Sequence, residues 1–201
     1  MLAIKNYLLT SKENRKMNYE KPWMKLSVHF DADQITNELD YAFTSCDGSA
    51  DPRHGPYMGG VHFQQGQHVY LEINCCGSKE SGFTGFQIVD CCLISVPQLT
   101  QIGPDLPTRY SMPSPFLQSV GATYQLPLDF ESHLLPQDPE MPDLRRIRQE
   151  WKHNLDIGQS KGRWELAFVI TVRITRGEQD LPELRVFSFD PEASVGGNTD
   201  M

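Results

Sequence analysis

From Trp23 the chain alternates: Met24, Leu26, Val28 and Phe30 are apolar, while Lys25, Ser27 and His29 between them are polar. That period of two predicts a half-buried strand over about 23–30. His68 to Cys76 repeats the pattern, with Val69, Leu71, Ile73 and Cys75 on one face and His68, Tyr70, Glu72 and Asn74 on the other. Phe86 to Val96 is apolar at both parities apart from Asp90, which reads as a central strand covered on both sides. A hairpin closing with Cys76 opposite Phe86 would set Cys91 against Leu71 and Cys92 against Tyr70. The clearest alternation is Trp164, Leu166, Phe168, Ile170, Val172 and Ile174, with Glu165, Thr171, Arg173 and Thr175 opposite. A turn over Gly177 to Pro182 then returns the chain through Leu184 to Phe189 as an antiparallel hairpin.

Two stretches break this pattern. Leu144, Ile147, Trp151 and Leu155 recur at spacings of three and four between Asp143, a good N-cap, and Gly158, a good stop, so an amphipathic helix is predicted over 143–157. Upstream, nine of the 14 prolines fall between Pro97 and Pro142, which forbids a continuous helix or central strand. Only Thr123 to Leu128 reads there as a short strand. A segment of this length without regular structure is uncommon inside a compact domain, and the 97–142 excursion is the first candidate for a binding region.

Many antiparallel strands and one helix predict a mainly all-β fold, an antiparallel β-sandwich or jelly-roll-like domain. The organisation read from the chain is a flexible N-terminal arm over 1–21, a single β-sandwich domain over 22–191, and a flexible C-terminal tail over 192–201. Met17 offers a second start within the arm.

Charge narrows the partners. Eighteen Lys+Arg against 26 Asp+Glu give a net charge of −8, with a pI near 5.2, which disfavours general adhesion to nucleic acid or anionic membrane. The longest wholly apolar run, Leu166 to Ile170, is far short of the roughly 20 residues that span a bilayer. The N-terminus lacks the apolar stretch of a secretory signal, so the expected location is cytoplasmic. Five cysteines (Cys46, Cys75, Cys76, Cys91 and Cys92) include no C-x-x-C, and in a reducing compartment they read as small buried apolar side chains.

Three groups of residues merit weighing as sites. His62, His68 and Glu72 are the candidate ligands of a divalent metal, because imidazoles and a carboxylate presented by neighbouring strands suit iron, manganese or zinc. The paired histidines of a cupin are missing, however, and the competing reading is a solvated polar face. His29, Asp31 and Asp33 at a strand exit are a candidate ligand-binding group, against plain turn chemistry. Arg145, Arg146, Arg148 and Lys152, offset by Glu150, form a candidate partner-binding face for an acidic protein. No aromatic platforms interleave with these cations, so nucleic acid is not the expected partner. No Walker loop, dinucleotide fingerprint, nucleophile elbow, H-E-x-x-H or kinase motif occurs, and no cofactor is expected beyond that divalent metal.

Three segments carry a family likeness. Ser27-Val28-His29-Phe30-Asp31-Ala32-Asp33 runs a strand into an acidic turn, a hairpin follows Gly66-Gln67, and Val186-Phe187-Ser188-Phe189-Asp190-Pro191 closes on an aromatic-Asp-Pro. In this order they resemble the PixA/AidA family of bacterial inclusion-body proteins over roughly 24–191. The resemblance implies a non-enzymatic sandwich. The leading functional reading is therefore a cytoplasmic, bacterial binding or accessory protein, or a self-assembling homo-oligomer, whose ligand is another protein or a small molecule. The alternative is a cupin-like metal enzyme using His62, His68 and Glu72.

Overall fold

A computed structural model of the chain describes residues 22–46, 60–101, 105–177 and 181–196. The described residues form strands β1 (Trp23–Asp31), β2 (Asp40–Ser45), β3 (Val61–Phe63), β4 (His68–Ser78), β5 (Phe83–Pro97), β6 (Leu99–Thr100) and β7 (Arg109–Tyr110). They continue with β8 (Thr123–Gln125), β9 (Phe130–Leu134), β10 (Leu144–Trp151), β11 (Leu155–Asp156), β12 (Gly162–Arg176), β13 (Glu183–Phe189) and β14 (Glu192–Val195). The first sheet has the order β2-β1-β4-β10-β9, with β11 also on β4. The second has the order β3-β14-β12-β5-β8, with β13 also on β12, and β6 and β7 form a small ribbon.

The predicted all-β sandwich is what the chain builds. The inward rows Met24, Leu26, Val28, Phe30 of β1, Val69, Leu71, Ile73, Cys75 of β4 and Trp164 to Ile174 of β12 are all buried. They meet face to face: the Phe30 ring lies 4.7 Å from that of Phe187, and Tyr41 stacks on Phe189 at 4.4 Å. A void of about 20 Å³, room for little more than one water, lies between the sheets among Leu26, Phe63, Leu71 and Phe168. β12 and β13 pair antiparallel as expected, with Phe168 opposite Phe189 and Ile174 opposite Glu183.

Four expectations are corrected. The 143–157 segment is not a helix: Leu144–Trp151 is β10, paired antiparallel with β4 on one side and β9 on the other. Leu144, Ile147 and Trp151 fit a three-four spacing, yet Ile147, Gln149 and Trp151 are the buried row. Gln149 hides this period of two, because a polar residue at an inward position reads as outward. Its amide donates to the Phe86 carbonyl at 2.7 Å, which makes its burial tolerable. Neighbours on both edges then satisfy the β10 backbone, and tertiary pairing overrides local preference.

Second, β4 and β5 are not a hairpin. The chain crosses from one sheet to the other at Lys79–Gly82, so Cys91 lies opposite Ile170 and Cys92 opposite Val169. Gly77 permits the crossing, since a Cβ there would overlap the ring of Phe83 as it turns into the interior.

Third, β5 is not covered on both sides. Thr171 pairs with Asp90 and Val172 with Ile88, leaving Val89 as the extra residue of a bulge. The bulge switches parity, so Phe86, Ile88, Cys91, Leu93 and Ser95 all point inward while Val96 is about half exposed. The apolar run at both parities comes partly from the inward row changing parity at the bulge, with Val89, Cys92 and Ile94 half-buried outside that row.

Fourth, the 192–201 tail begins with structure. Ala193 and Val195 are buried, and β14 pairs with β12 and, in parallel, with β3. Residues 197–201 of the tail and the 1–21 arm lie outside the described residues.

The bulge makes an unusual prediction. Deleting Val89 leaves Ile88 and Cys91 at their inward positions and is expected to cost less than about 2 kcal/mol in urea unfolding. Deleting Cys92 turns Leu93 and Ser95 outward and is expected to abolish cooperative unfolding.

Candidate functional site

Polar positions of the first sheet gather on its outer face because β1 runs parallel to β4. That register sets Ser27 beside Glu72 and His29 beside Asn74, while β10 brings Arg148 beside Asn74 from the other side. Glu72 is the centre. Its carboxylate accepts from Ser27 Oγ at 2.7 Å and Asn74 Nδ2 at 3.4 Å, and stands 3.4 Å from Lys25 Nζ and 3.6 Å from Arg148 Nε. Arg148 Nε also donates to Asn74 Oδ1 at 3.0 Å.

Although on an outer face, Ser27, Glu72 and Asn74 are each under a tenth exposed. Burial alone would raise the Glu72 pKa, but the cations Lys25 and Arg148 with the Ser27 and Asn74 donors outweigh it and hold the carboxyl below its usual range. Burial lowers the His29 pKa against the carboxylates of Glu72 and Asp40, which favour the imidazolium, so the ring is held neutral to lower pH than usual. The arrangement is a charge network whose members satisfy one another.

The proposed metal ligands are not brought together. His62 is on β3 of the second sheet, its Nδ1 3.0 Å from Ser194 Oγ. His68 and Glu72 share a face of β4, but the His68 ring is paired with the Asp156 carboxylate and lies 3.0 Å from Asn154 Nδ2. Asp156 is itself held by Gln118 Nε2 at 2.7 Å. Among the described residues no three His, Cys, Asp or Glu side chains cluster closely enough to hold a metal ion. A strand face puts residues four apart some 13 Å from each other, and His62 lies in the opposite layer.

His29, Asp31 and Asp33 also serve different surroundings. Asp31 Oδ1 accepts from the Asp33 N–H at 2.8 Å, which is local turn chemistry. Asp33 accepts from Ser78 N–H at 2.9 Å and Ser81 Oγ at 3.1 Å, and pairs with Arg176 Nη1 at 2.7 Å. Burial would raise its pKa, but these donors lower it, and the carboxylate clamps the two sheets at one end.

The four cations of 145–152 divide between faces. Arg145 reaches across to the Thr84 carbonyl at 3.0 Å, Arg146 pairs with Asp138 at 3.2 Å, Arg148 joins the Glu72 network, and Lys152 stands 3.6 Å from Asp129. Strand alternation sets only Arg145 on the other side from Arg146 and Arg148, and because each cation stands beside an acceptor or a carboxylate, no face of unpaired positive charge forms among them.

All five cysteines are free thiols. Burial pushes Cys75 and Cys91 well up, Cys76 up to about 12, and Cys92 upward as well. None of these four is a thiolate nucleophile near neutrality.

The excursion carries the surface that the sequence left undefined. Phe116 and Leu126 are buried anchors. Between them and around the β6–β7 ribbon, Leu99, Leu106, Tyr110, Met112, Leu117 and Val120 are each more than half exposed. Polar bonds pin the backbone that carries them: Trp164 Nε1 donates to the Met112 carbonyl at 2.7 Å, the Arg163 N–H to Ser111 Oγ at 2.8 Å, and the Leu117 N–H to the Asp156 carbonyl at 2.8 Å. Proline content marked the segment, but no local signal showed which apolar residues face out.

No known family model and no curated protein matches the chain. Among solved structures, one similar chain is the crystal structure of an inclusion body protein, PixA, from Burkholderia cenocepacia J2315. The identity is 10%, the TM-score is 0.37, and the match covers 91% of this chain and 100% of that one. It carries the family name that the strand motifs resemble.

Acid is predicted to weaken the fold in two stages. The depressed His29 pKa contributes stability that is present above the ordinary 6.5 and lost as pH falls through its lowered value. The depressed Glu72 and Asp33 pKa values contribute stability present above 4.5 and 3.8 and lost as pH falls through their lowered values in turn. Urea midpoints followed from about pH 8 to about pH 3 are expected to lose the first stage in His29→Gln and flatten in the second in Glu72→Gln. Glu72→Gln, which leaves Lys25 and Arg148 without their counter-charge, is expected to cost about 1–3 kcal/mol at neutral pH. Unchanged pH profiles in both variants would contradict the network.

Proposed function

We propose that this chain is a non-enzymatic binding or accessory protein whose contact surface is the 97–142 excursion. The observation that carries the reading is that six large apolar side chains of 99–120 are each more than half exposed, on backbone that hydrogen bonds hold at Ser111, Met112 and Leu117. Exposed large apolar groups grouped on a fixed surface mark interaction sites more often than scattered ones do. Pinning matters energetically, because a surface ordered before binding loses less conformational entropy on association.

The partner that fits is another protein presenting a complementary apolar groove with few charges, since Leu99, Leu106, Tyr110, Met112, Leu117 and Val120 offer one phenol and otherwise no polar side chains. Five free thiols support a reducing, cytoplasmic setting. No helix among the described residues is long and apolar enough to cross a membrane. The protonated thiols of Cys75, Cys76, Cys91 and Cys92 support binding rather than nucleophilic turnover.

The test is site-specific photo-crosslinking in the native host. A photoreactive side chain at Met112 or Leu117 is expected to give a discrete protein adduct, and one at Thr84, on another part of the surface, none. The combined variant Tyr110→Ser with Leu117→Ser is expected to keep its urea stability within about 1 kcal/mol, both positions being exposed, and to lose the Met112 adduct. Equal labelling from Met112 and Thr84, or a turnover measured with a defined substrate, would overturn the reading.

A further inference from the structure

We infer that the outer edge of β9 is a self-complementary site for a second copy of this chain, joining two first sheets antiparallel across a two-fold axis centred on Ser132. The inference uses a different part of the excursion, the β9 edge, and does not depend on the exposed apolar side chains of 99–120. It begins with the backbone. The Leu135 N–H donates to the Arg146 carbonyl, and the Lys152 N–H to the Asp129 carbonyl. Hydrogen-bonded pairs alternate along an antiparallel ladder, so His133 with Arg148 and Glu131 with Glu150 fall in the same phase. Asp129, Glu131, His133 and Leu135 thus direct their backbone groups at β10. Phe130, Ser132 and Leu134 direct theirs out of the sheet, where no described strand pairs with them.

Three registers align outward-pointing groups with outward-pointing groups near the middle of this strand. Centring on Glu131 sets that carboxylate against its own copy. Centring on His133 sets Phe130 against Pro136, which has no N–H to donate, and His133 against itself. Centring on Ser132 pairs Phe130 with Leu134 of the second copy, Ser132 with its counterpart, and Leu134 with Phe130. Three such pairs exchanging two bonds each would satisfy every outward N–H and C=O of the strand.

The same register places Glu131 directly opposite His133 of the second copy, twice, at the closer, non-hydrogen-bonded positions where cross-strand charge matters most. The His133 side chain is 40% exposed and stands among carboxylates already, with Glu131 Oε1 and Glu150 Oε2 each 4.0 Å from its Nε2. Leu134, 71% exposed although it belongs to the inward row, would be covered by Phe130 of the second copy. Pro127 and Pro136 bracket the strand and limit pairing to this short length. A closed two-fold pair occupies this edge completely, so it yields dimers rather than fibres through β9.

The experiment uses the full chain in a Cys46→Ser background, because Cys46 is exposed. Light scattering is expected to give twice the 22.9 kDa chain mass. Ser132→Cys is expected to form an intermolecular disulfide under mild oxidation, since hydrogen-bonded antiparallel partners have Cα atoms about 5.5 Å apart; Glu165→Cys, on the second sheet, is expected to form none. Ser132→Pro removes only an outward N–H and is expected to give a monomer with an unchanged melting transition. If that variant fails to fold, the charge pair decides: His133→Glu is expected to weaken the dimer at least about tenfold, and adding Glu131→Lys to restore it. A monomeric parent chain, or a dimer unaffected by Ser132→Pro and His133→Glu, would overturn the proposal, and a dimer lost only on Tyr110→Ser with Leu117→Ser would overturn it by placing self-association on the apolar side chains of 99–120 instead.

Discussion

The indole of Trp164 is fully buried at one end of the space between the sheets, and its N–H donates to the Met112 carbonyl at 2.7 Å. One residue therefore serves both the interior and the surface. Its ring continues the inward row of β12 down to Ile174, and burial of such a side chain is worth about 3–5 kcal/mol against alanine. Its single polar atom would be costly there without an acceptor, and the acceptor it finds belongs to the excursion. The neighbouring Arg163 N–H and Ser111 hydroxyl reinforce that junction. Gly162 makes room for it, since a Cβ there would run into Trp164 and Ser111. The excursion is thus fixed by the same strand that organises the second sheet.

A second constraint is parity. Every strand between two layers must send alternate residues inward, and a single-residue offset reverses the assignment. The molecule uses that rule twice in opposite ways. In β5 the Val89 bulge absorbs an offset and keeps Cys91 and Leu93 inside. On the outer face of the first sheet, undisturbed parity in β1, β4 and β10 stacks Ser27, Glu72 and Arg148 into one charge network.

What could be read from the chain follows from the same rule. Trp164 to Ile174, Val69 to Cys75 and Met24 to Phe30 are regular alternations, and each inward row is as expected. β10 was obscured by one buried polar residue, Gln149, whose partner Phe86 is 63 residues away and invisible locally. The β4–β5 hairpin was misread because a short Gly-rich turn between strands fits a sheet-to-sheet crossing as well as a hairpin. β14 is only four residues long, too short for periodicity to register. For the sites, the polar character of Lys25, Ser27, His29, Glu72 and Asn74 was legible, but their grouping depends on the parallel β1–β4 register. His62, His68 and Glu72 had suitable chemistry and no such register to unite them.

The central claim is that the excursion is rigid where it is apolar and exposed. Native-state hydrogen exchange measures this directly, because the Ser111 and Leu117 amides donate to the Gln98 and Asp156 carbonyls while the flanking side chains face solvent. The account predicts that these two amides exchange only through openings close in free energy to global unfolding, and that Trp164→Phe exposes Ser111 first. Exchange of both at the rate of an unstructured peptide in the parent protein would contradict it.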